Sequence, residues 1–161
     1  MPEEKQTNLK ELQERAVQYF CHRPSNFPTG RPYNCCESVL LALTGYLGIR
    51  SELIPKIGTA MGAGVGLNGL LCGSISGAAM AIGIKYGRNR AEENPQRAWN
   101  LIDECVASFK DKFGAVNCRQ LTGLNLKTQK GLKEYYGGVH DYECTKRLKF
   151  AVEKGVEILS K

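Results

Sequence analysis

The class of fold is decided by residues 72–86, which read CGSISGAAMAIGIKY. The residues after Cys72 are typical of a helix, and Gly73, Gly77 and Ala81 recur along it at four-residue steps. Small side chains at that spacing share one face of a helix, where a second helix can come very near. The stretch therefore predicts a helix that packs closely against another helix.

Apolar residues on both sides of this stretch recur at helical spacing, and no segment alternates convincingly as a strand does. The predicted helices cover residues 8–21, 34–47, a short segment after 51, 73–86, 94–113, a short segment from 118, and about 142–159. Irregular loops are expected at residues 22–33, which hold three prolines, and before Asp141. The sequence predicts one all-α domain over residues 1–161, with six or seven helices and a glycine-rich loop.

The composition excludes several classes of protein. Hydrophobic residues make up 42% and charged residues 24%, as in soluble globular proteins. The longest weakly polar run, residues 70–84, is shorter than a membrane span. The net charge of +6 is scattered without a basic run, so no nucleic-acid partner is expected. Residues 1–5 lack the features of a secretory signal, and we expect a cytoplasmic protein.

Cysteine and glycine are the two unusual residue types. Seven cysteines are an odd number, which does not suit a closed disulfide framework and favours metal or redox chemistry in a cytoplasmic chain. Seven glycines lie between Gly58 and Gly77, directly around Cys72. Glycines let the backbone adopt positive φ and approach other groups closely. We expect this glycine-rich loop to bind a group that its backbone can approach closely.

Four of the seven cysteines lie at predicted helix starts. They are Cys35, Cys72, Cys118 and Cys144, and Asp141 is the candidate cap before the last of them. A helix start presents free N–H groups and a positive dipole end, which favour a thiolate and donate hydrogen bonds to sulfur. If the four starts converge, they form a Cys₄ site that suits an iron–sulfur cluster, and zinc would use the same ligands.

Residues beside these cysteines fit the same interpretation. Asn34 with Glu37, and Asn117 with Gln120, share the spacing of a capping box. Asn34 and Asn117 are therefore expected to cap the helices that present two of the four cysteines. Gly73 is expected to permit close approach at a third cysteine.

The remaining candidates have simpler explanations. Cys21 and Cys105 fall among apolar residues at helical spacing and are expected in the core. Cys36 is either a resolving thiol or a buried one. His140 could replace a cysteine ligand, but an exposed loop histidine is expected. Residues 64–69 match GxGxxG without the preceding strand that a nucleotide site requires.

Motifs spread over nearly the whole chain carry a resemblance to a known family. They are Tyr33-Asn34-Cys35, Glu37-Ser38-Val39-Leu40, Leu71-Cys72-Gly73 with Gly77, Gly83-Ile84-Lys85-Tyr86-Gly87, Phe113-Gly114, Asn117-Cys118 and Cys144. With these motifs the chain resembles the redox-active family named for its C_GCAxxG_C_C signature. It departs from that pattern in the central stretch, which is Cys72-Gly73-Ser74-Ile75-Ser76-Gly77 and not a literal Gly-Cys-Ala-x-x-Gly, and at Cys36, where a small apolar residue is expected.

The resemblance implies a redox role in which the four cysteines of the family are Cys35, Cys72, Cys118 and Cys144. It also favours an iron–sulfur cluster, because part of the split-Soret cytochrome group is similar. Haem is not implied, since the chain has no Cys-x-x-Cys-His.

The leading hypothesis is a small redox protein that binds an iron–sulfur cluster and exchanges electrons with a partner, either a protein or a small molecule. Whether it is also an enzyme stays open. One alternative is a cofactor-free thiol/disulfide oxidoreductase, and another is a structural zinc domain. The helix from Gly73 could pack within one chain or across a homodimer.

Overall fold

The structure is a computed structural model that describes residues 8–22 and 31–161, and these ranges contain seven α-helices and no strand. The helices are α1 (Leu9–Cys21), α2 (Cys35–Tyr46), α3 (Gly73–Tyr86), α4 (Gln96–Phe113), α5 (Cys118–Thr122), α6 (Gln129–Glu134) and α7 (Thr145–Leu159). The all-α prediction is confirmed. Residues 23–30, with two of the three prolines of the predicted loop, lie outside the described residues.

Helix α2 lies at the centre, against α1, α3 and α7. Its side chains Leu40 and Leu43 are fully buried with Leu12 of α1 and Leu148 of α7. The close approach of α2 to α3 depends on Gly77, because a Cβ there would lie 2.6 Å from the carbonyl oxygen of Cys36. The predicted close packing of the helix at residues 73–86 is therefore confirmed.

The helix starts are capped less regularly than the sequence predicts. The box at α2 is complete, since the Asn34 side chain accepts from the Glu37 N–H at 2.9 Å and Glu37 accepts from the Asn34 N–H at 2.8 Å. At α1 the side chain of Asn8 accepts from the N–H of Lys10 at 3.0 Å.

The glycine-rich loop contains a 3₁₀ helix, Lys56–Met61, and then a four-residue helical turn, Gly62–Val65. The short helix predicted after Ser51 therefore begins later than expected. The turn at Gly62–Val65 is left-handed at Ala63 and Gly64, and Val65 also has a positive φ. Residues 31–63 contain no strand, so residues 64–69 lack the preceding strand that a nucleotide site requires.

Residues 129–141 are helical, so the loop predicted before Asp141 is wrong there and correct only at residues 123–128. Thr128 caps α6 by accepting from the Gly131 N–H at 3.0 Å, and a π-helix, Tyr135–Cys144, continues into α7. The segment folds because Tyr135, Leu132 and Val139 pack into a small apolar cluster. Among the described helices, none combines the length and the apolar character needed to cross a membrane.

Candidate functional site

Four cysteines that are far apart in the chain line one small cavity, which we call the cysteine cavity. They are Cys35, Cys72, Cys118 and Cys144, the four candidate ligands of the sequence analysis. Tyr135 and Arg147 line the same cavity, whose volume is about 20 Å³. The structure thus brings the four side chains together, and their role as ligands stays a prediction.

Cys72 and Cys118 are held side by side by backbone pairing. The Cys72 N–H donates to the carbonyl oxygen of Val116 at 2.8 Å, and the Cys118 N–H donates to that of Leu70 at 2.7 Å. These bonds flank an isolated antiparallel bridge between Leu71 and Asn117. Two segments 46 residues apart are thereby fixed in register, each just before its helix.

Three of the four cysteines lie at helix starts, as predicted. Cys35 is the first residue of α2, Cys72 is the N-cap of α3, and Cys118 is the first residue of α5. The predicted capping box at Asn117 is not formed, because this residue makes no side-chain cap bond. Its extended backbone belongs to the bridge with Leu71 instead.

The helix-start prediction is wrong for Cys144. This residue has helical backbone angles at the junction of the π-helix and α7, so it does not face a free helix end. Asp141 does not cap α7 with its side chain, because its carboxylate pairs with His140. Two other side chains serve the sulfur of Cys144: the Tyr135 hydroxyl donates to it, and Arg147 Nη1 lies 3.7 Å away.

Backbone N–H groups donate to two of the other three sulfurs. The Cys35 sulfur accepts from the N–H groups of Ala63 and Cys36, and the Cys72 sulfur accepts from the N–H and the hydroxyl of Ser74. Gly73 lies so near that a Cβ on it would overlap the sulfur of Cys35. Gly73 thus lets the sulfur of Cys35 lie close to the start of α3, and its predicted role toward a cofactor stays a prediction.

The Ala63 N–H that donates to the Cys35 sulfur belongs to a segment of strained backbone. Ala63, Val65 and Leu67 have φ angles of 53°, 63° and 70°, a region that costs a residue with a Cβ about 1–2 kcal/mol. Glycine is required at Gly64, since a Cβ there would lie 2.5 Å from the Leu70 nitrogen. Strain of this kind is concentrated at functional sites. The turn thus indicates that the position of the Ala63 amide matters.

Burial raises the pKa of all four thiols. It raises the pKa of Cys35 and Cys118 to about 12, with the neighbouring cysteines adding to the shift. Burial also raises the pKa of Cys72, and raises that of Cys144 to about 11 although Arg147 opposes the rise. Without a bound cation, these thiols are therefore neutral at pH 7.

Arg147 is the charged residue of the cysteine cavity, and sequence reasoning missed it. Arg147 is only 8% exposed. Its Nη2 donates to the carbonyl oxygen of Leu121 at 2.8 Å, and its Nε has no hydrogen-bond partner among the described residues. A buried guanidinium with a free donor lacks an anionic partner. The available signal was its position three residues after Cys144, on the same face of a helix.

The other thiols lie elsewhere, and all seven cysteines are free. Cys105 is fully buried in the core, as predicted. Cys36 is also fully buried, and its sulfur lies 3.9 Å from that of Met80 rather than in the cysteine cavity. This position does not favour a resolving role. Cys21 is only partly buried, and it lies near His140 rather than purely in the core.

His140 is buried, so the exposed loop histidine predicted at this position is wrong. Its ring stacks on Phe20 with the centroids 3.9 Å apart, and its Nδ1 lies 2.6 Å from an Asp141 carboxylate oxygen. The histidine points inward because the π-helix turns it onto α1. It does not line the cysteine cavity.

A second and larger cavity, of about 630 Å³, adjoins the first and is called the large cavity below. Cys35, Ala63 and Tyr135 line both cavities. Phe20, Tyr136 and His140 belong to the large cavity alone. The cysteine cavity is thus separated from the large cavity by one layer of side chains.

Comparison with known proteins identifies one family. The family model described as "Putative redox-active protein (C_GCAxxG_C_C)" matches residues 33–158. The match contains all four cysteines of the cysteine cavity and begins after α1. No curated protein and no solved structure matches the chain.

Proposed function

We propose that this chain, which belongs to the C_GCAxxG_C_C family of redox-active proteins, holds an iron–sulfur cluster in its cysteine cavity and transfers electrons. A bound cluster would supply one-electron chemistry. The observation that carries the proposal is the meeting of four thiols with a buried guanidinium that lacks an anionic partner. Four thiolates with bound iron form an anionic group of the kind that Arg147 and the surrounding N–H donors would stabilise.

The residues present fit such a group in chemistry. Thiolates are the usual ligands of iron–sulfur clusters, and hydrogen bonds to sulfur tune their potentials. Ala63 and Cys36 provide backbone donors at Cys35, and Tyr135 and Arg147 provide side-chain donors at Cys144. Each of these donors would favour the charged form of the sulfur that it contacts.

The spacing of the sulfurs supports a cluster over a single ion. A tetrahedral zinc with Zn–S bonds of about 2.3 Å places its sulfurs about 3.8 Å apart. Among the described residues, no three of these four cysteines have sulfurs within 4.8 Å of one another. In a cluster the four ligands are divided among two or four irons, so at least two of the sulfurs lie farther apart than on a single ion.

A structural zinc ion is the second candidate, and the size of the cysteine cavity favours it. A volume of about 20 Å³ has room for one water-sized body, so a cluster would require the side chains to move outward. Iron, sulfide and zinc analysis distinguishes a zinc protein from an iron–sulfur protein, so this measurement decides between the two candidates.

Thiol/disulfide exchange without a cofactor is less well supported. The attacking species in exchange is a thiolate, and reactive cysteines have lowered pKa values. Burial raises the pKa of Cys35 and Cys118 to about 12 in the metal-free protein. Neutral thiols at pH 7 are poor nucleophiles.

The test is anaerobic purification followed by an absorbance spectrum and by iron, sulfide and zinc analysis. Brown protein with iron and sulfide supports the proposal, zinc alone supports the structural site, and metal-free protein whose thiols are lost in pairs on mild oxidation supports exchange. Serine at each of the four positions should lower the iron content. Cys105→Ser is the matched control, because that thiol is fully buried in the core and away from the cysteine cavity.

The large cavity is where we propose that the redox partner approaches. Cys35 and Tyr135 form its boundary with the cysteine cavity, so an electron carrier there would be one side chain away from the site. A partner protein and a small molecule both remain candidates, and the proposed cytoplasmic location and homodimer are compatible with either.

A further inference from the structure

We propose that Cys21, His140 and Asp141 form a second metal site, which takes one divalent transition-metal ion such as zinc. A thiol sulfur, an imidazole nitrogen and a carboxylate oxygen, one from each residue, lie within 4.8 Å of one another. Among the described residues, this is the one group of three possible ligands that meets so closely. Sulfur, imidazole nitrogen and carboxylate oxygen are the three donor types that zinc uses in proteins.

Two of the ligands are already held in place. The ring of His140 is fixed by stacking on Phe20 and by an edge contact with Tyr135, whose centroid is 5.3 Å away. Asp141 lies 2.6 Å from His140 Nδ1 and has no Lys or Arg partner among the described residues. A cation bound by the three residues would replace the proton shared by His140 and Asp141 and the thiol proton of Cys21, and both protons would pass to solvent.

The third ligand comes from a distant part of the chain. Cys21 is the last residue of α1, whereas His140 and Asp141 belong to the π-helix. A hydrogen-bonded His–Asp pair alone would be an ordinary way to satisfy a buried histidine, but it would not require a thiol. The partly exposed thiol of Cys21 completes a set of three different donors.

The proposed site is distinct from the cysteine cavity. None of its three residues lines that cavity, and Cys21 precedes the part of the chain that matches the family. His140 does line the large cavity. Three protein ligands leave a fourth position for water or for a molecule bound in the large cavity, as in catalytic zinc sites.

Cobalt is a suitable probe, because Co²⁺ occupies zinc sites and gives a charge-transfer band when it binds a thiolate. The protein is titrated anaerobically with Co²⁺ in a background in which Cys35, Cys72, Cys118 and Cys144 are all replaced by serine, so that no thiol of the cysteine cavity can bind the metal. We expect one equivalent to bind with a thiolate band, and an equivalent of Zn²⁺ to remove that band. Adding Cys21→Ser should abolish the band, whereas adding Cys105→Ser should leave it unchanged.

A second variant, Asp141→Asn, changes an exposed ligand without changing the core. The Asp141 side chain is 63% exposed, so Asp141→Asn leaves the core intact and should weaken Co²⁺ binding at least about tenfold. The absence of a thiolate band in the protein with the four serine substitutions would overturn the proposal. So would a band that persists in the Cys21→Ser protein, or an unchanged affinity in Asp141→Asn. None of these outcomes depends on whether the cysteine cavity holds iron.

Discussion

Replacing Gly73 by alanine tests whether the cysteine cavity tolerates any added atom. The new Cβ would overlap the sulfur of Cys35 and would lie 3.1 Å from the Cys36 nitrogen and 3.3 Å from the Met61 carbonyl oxygen. Two of these three neighbours are backbone atoms, which cannot rotate away, so the thiol of Cys35 must move. Overpacking of this kind costs about 1–3 kcal/mol. We expect Gly73→Ala to lower the free energy of unfolding and to displace one candidate ligand.

Gly83→Ala is the matched control in the same helix. A Cβ at Gly83 would meet nothing within 4 Å, and alanine at such a position stabilises a helix by about 0.5–1 kcal/mol. Urea unfolding of the metal-free proteins should therefore place Gly73→Ala about 1–3 kcal/mol below Gly83→Ala. Iron per chain after anaerobic purification should fall in the first variant alone. Equal stability and equal iron content in the two variants would refute the reasoning.

Three further outcomes follow from the site. At Val65, where φ is positive, the Val65→Gly protein should be more stable to urea than the Val65→Ala protein by about 1 kcal/mol. At a position with negative φ, alanine would be the more stabilising of the two residues. Burial raises the pKa of Cys35 and Cys118 to about 12, so a metal ion must displace a proton from each thiol that it binds. Zinc affinity, measured by competition with a chelator, should therefore rise as the pH increases from 6 to 9, by about tenfold per pH unit for each thiol. Arg147→Gln should lower the reduction potential of the iron-loaded protein in a spectroelectrochemical titration, since the added electron loses a neighbouring positive charge, whereas Lys149→Gln on the exposed face of the same helix should not. A higher stability of Val65→Ala, a pH-independent affinity, or equal potentials in the two charge variants would each contradict its prediction.

The parts of the fold that could be predicted are those with local causes. The helix at residues 73–86 was bounded correctly because its composition alone favours a closely packed helix, and α2 begins where Asn34 and Glu37 form their capping box. Three of the four cysteines of the cysteine cavity were located for the same reason, since a helix start is recognised from a few neighbouring residues.

The parts that were missed depend on contacts between distant segments. The bridge between Leu71 and Asn117 joins segments that show no strand pattern, and it replaces the capping box predicted at Asn117. Glycines suggested a loop around residues 137–138, but packing of Tyr135 and Leu132 makes this region helical. Burial of His140 follows from that change, because only a helix places its ring against Phe20.

Charge balance explains why the four thiols of the cysteine cavity would ionise together only beside a bound cation. Four thiolates beside one guanidinium would leave a large net negative charge in a buried volume, and burial accordingly raises the pKa of every one of the four thiols. The fold can therefore form with neutral thiols, and the N–H donors around them supply too little positive charge to ionise them. A bound metal group would change this balance, because its positive charge would displace the thiol protons, and the same N–H donors would then bond to thiolate ligands. Arg147, whose Nε lacks a partner among the described residues, would then gain an anionic partner.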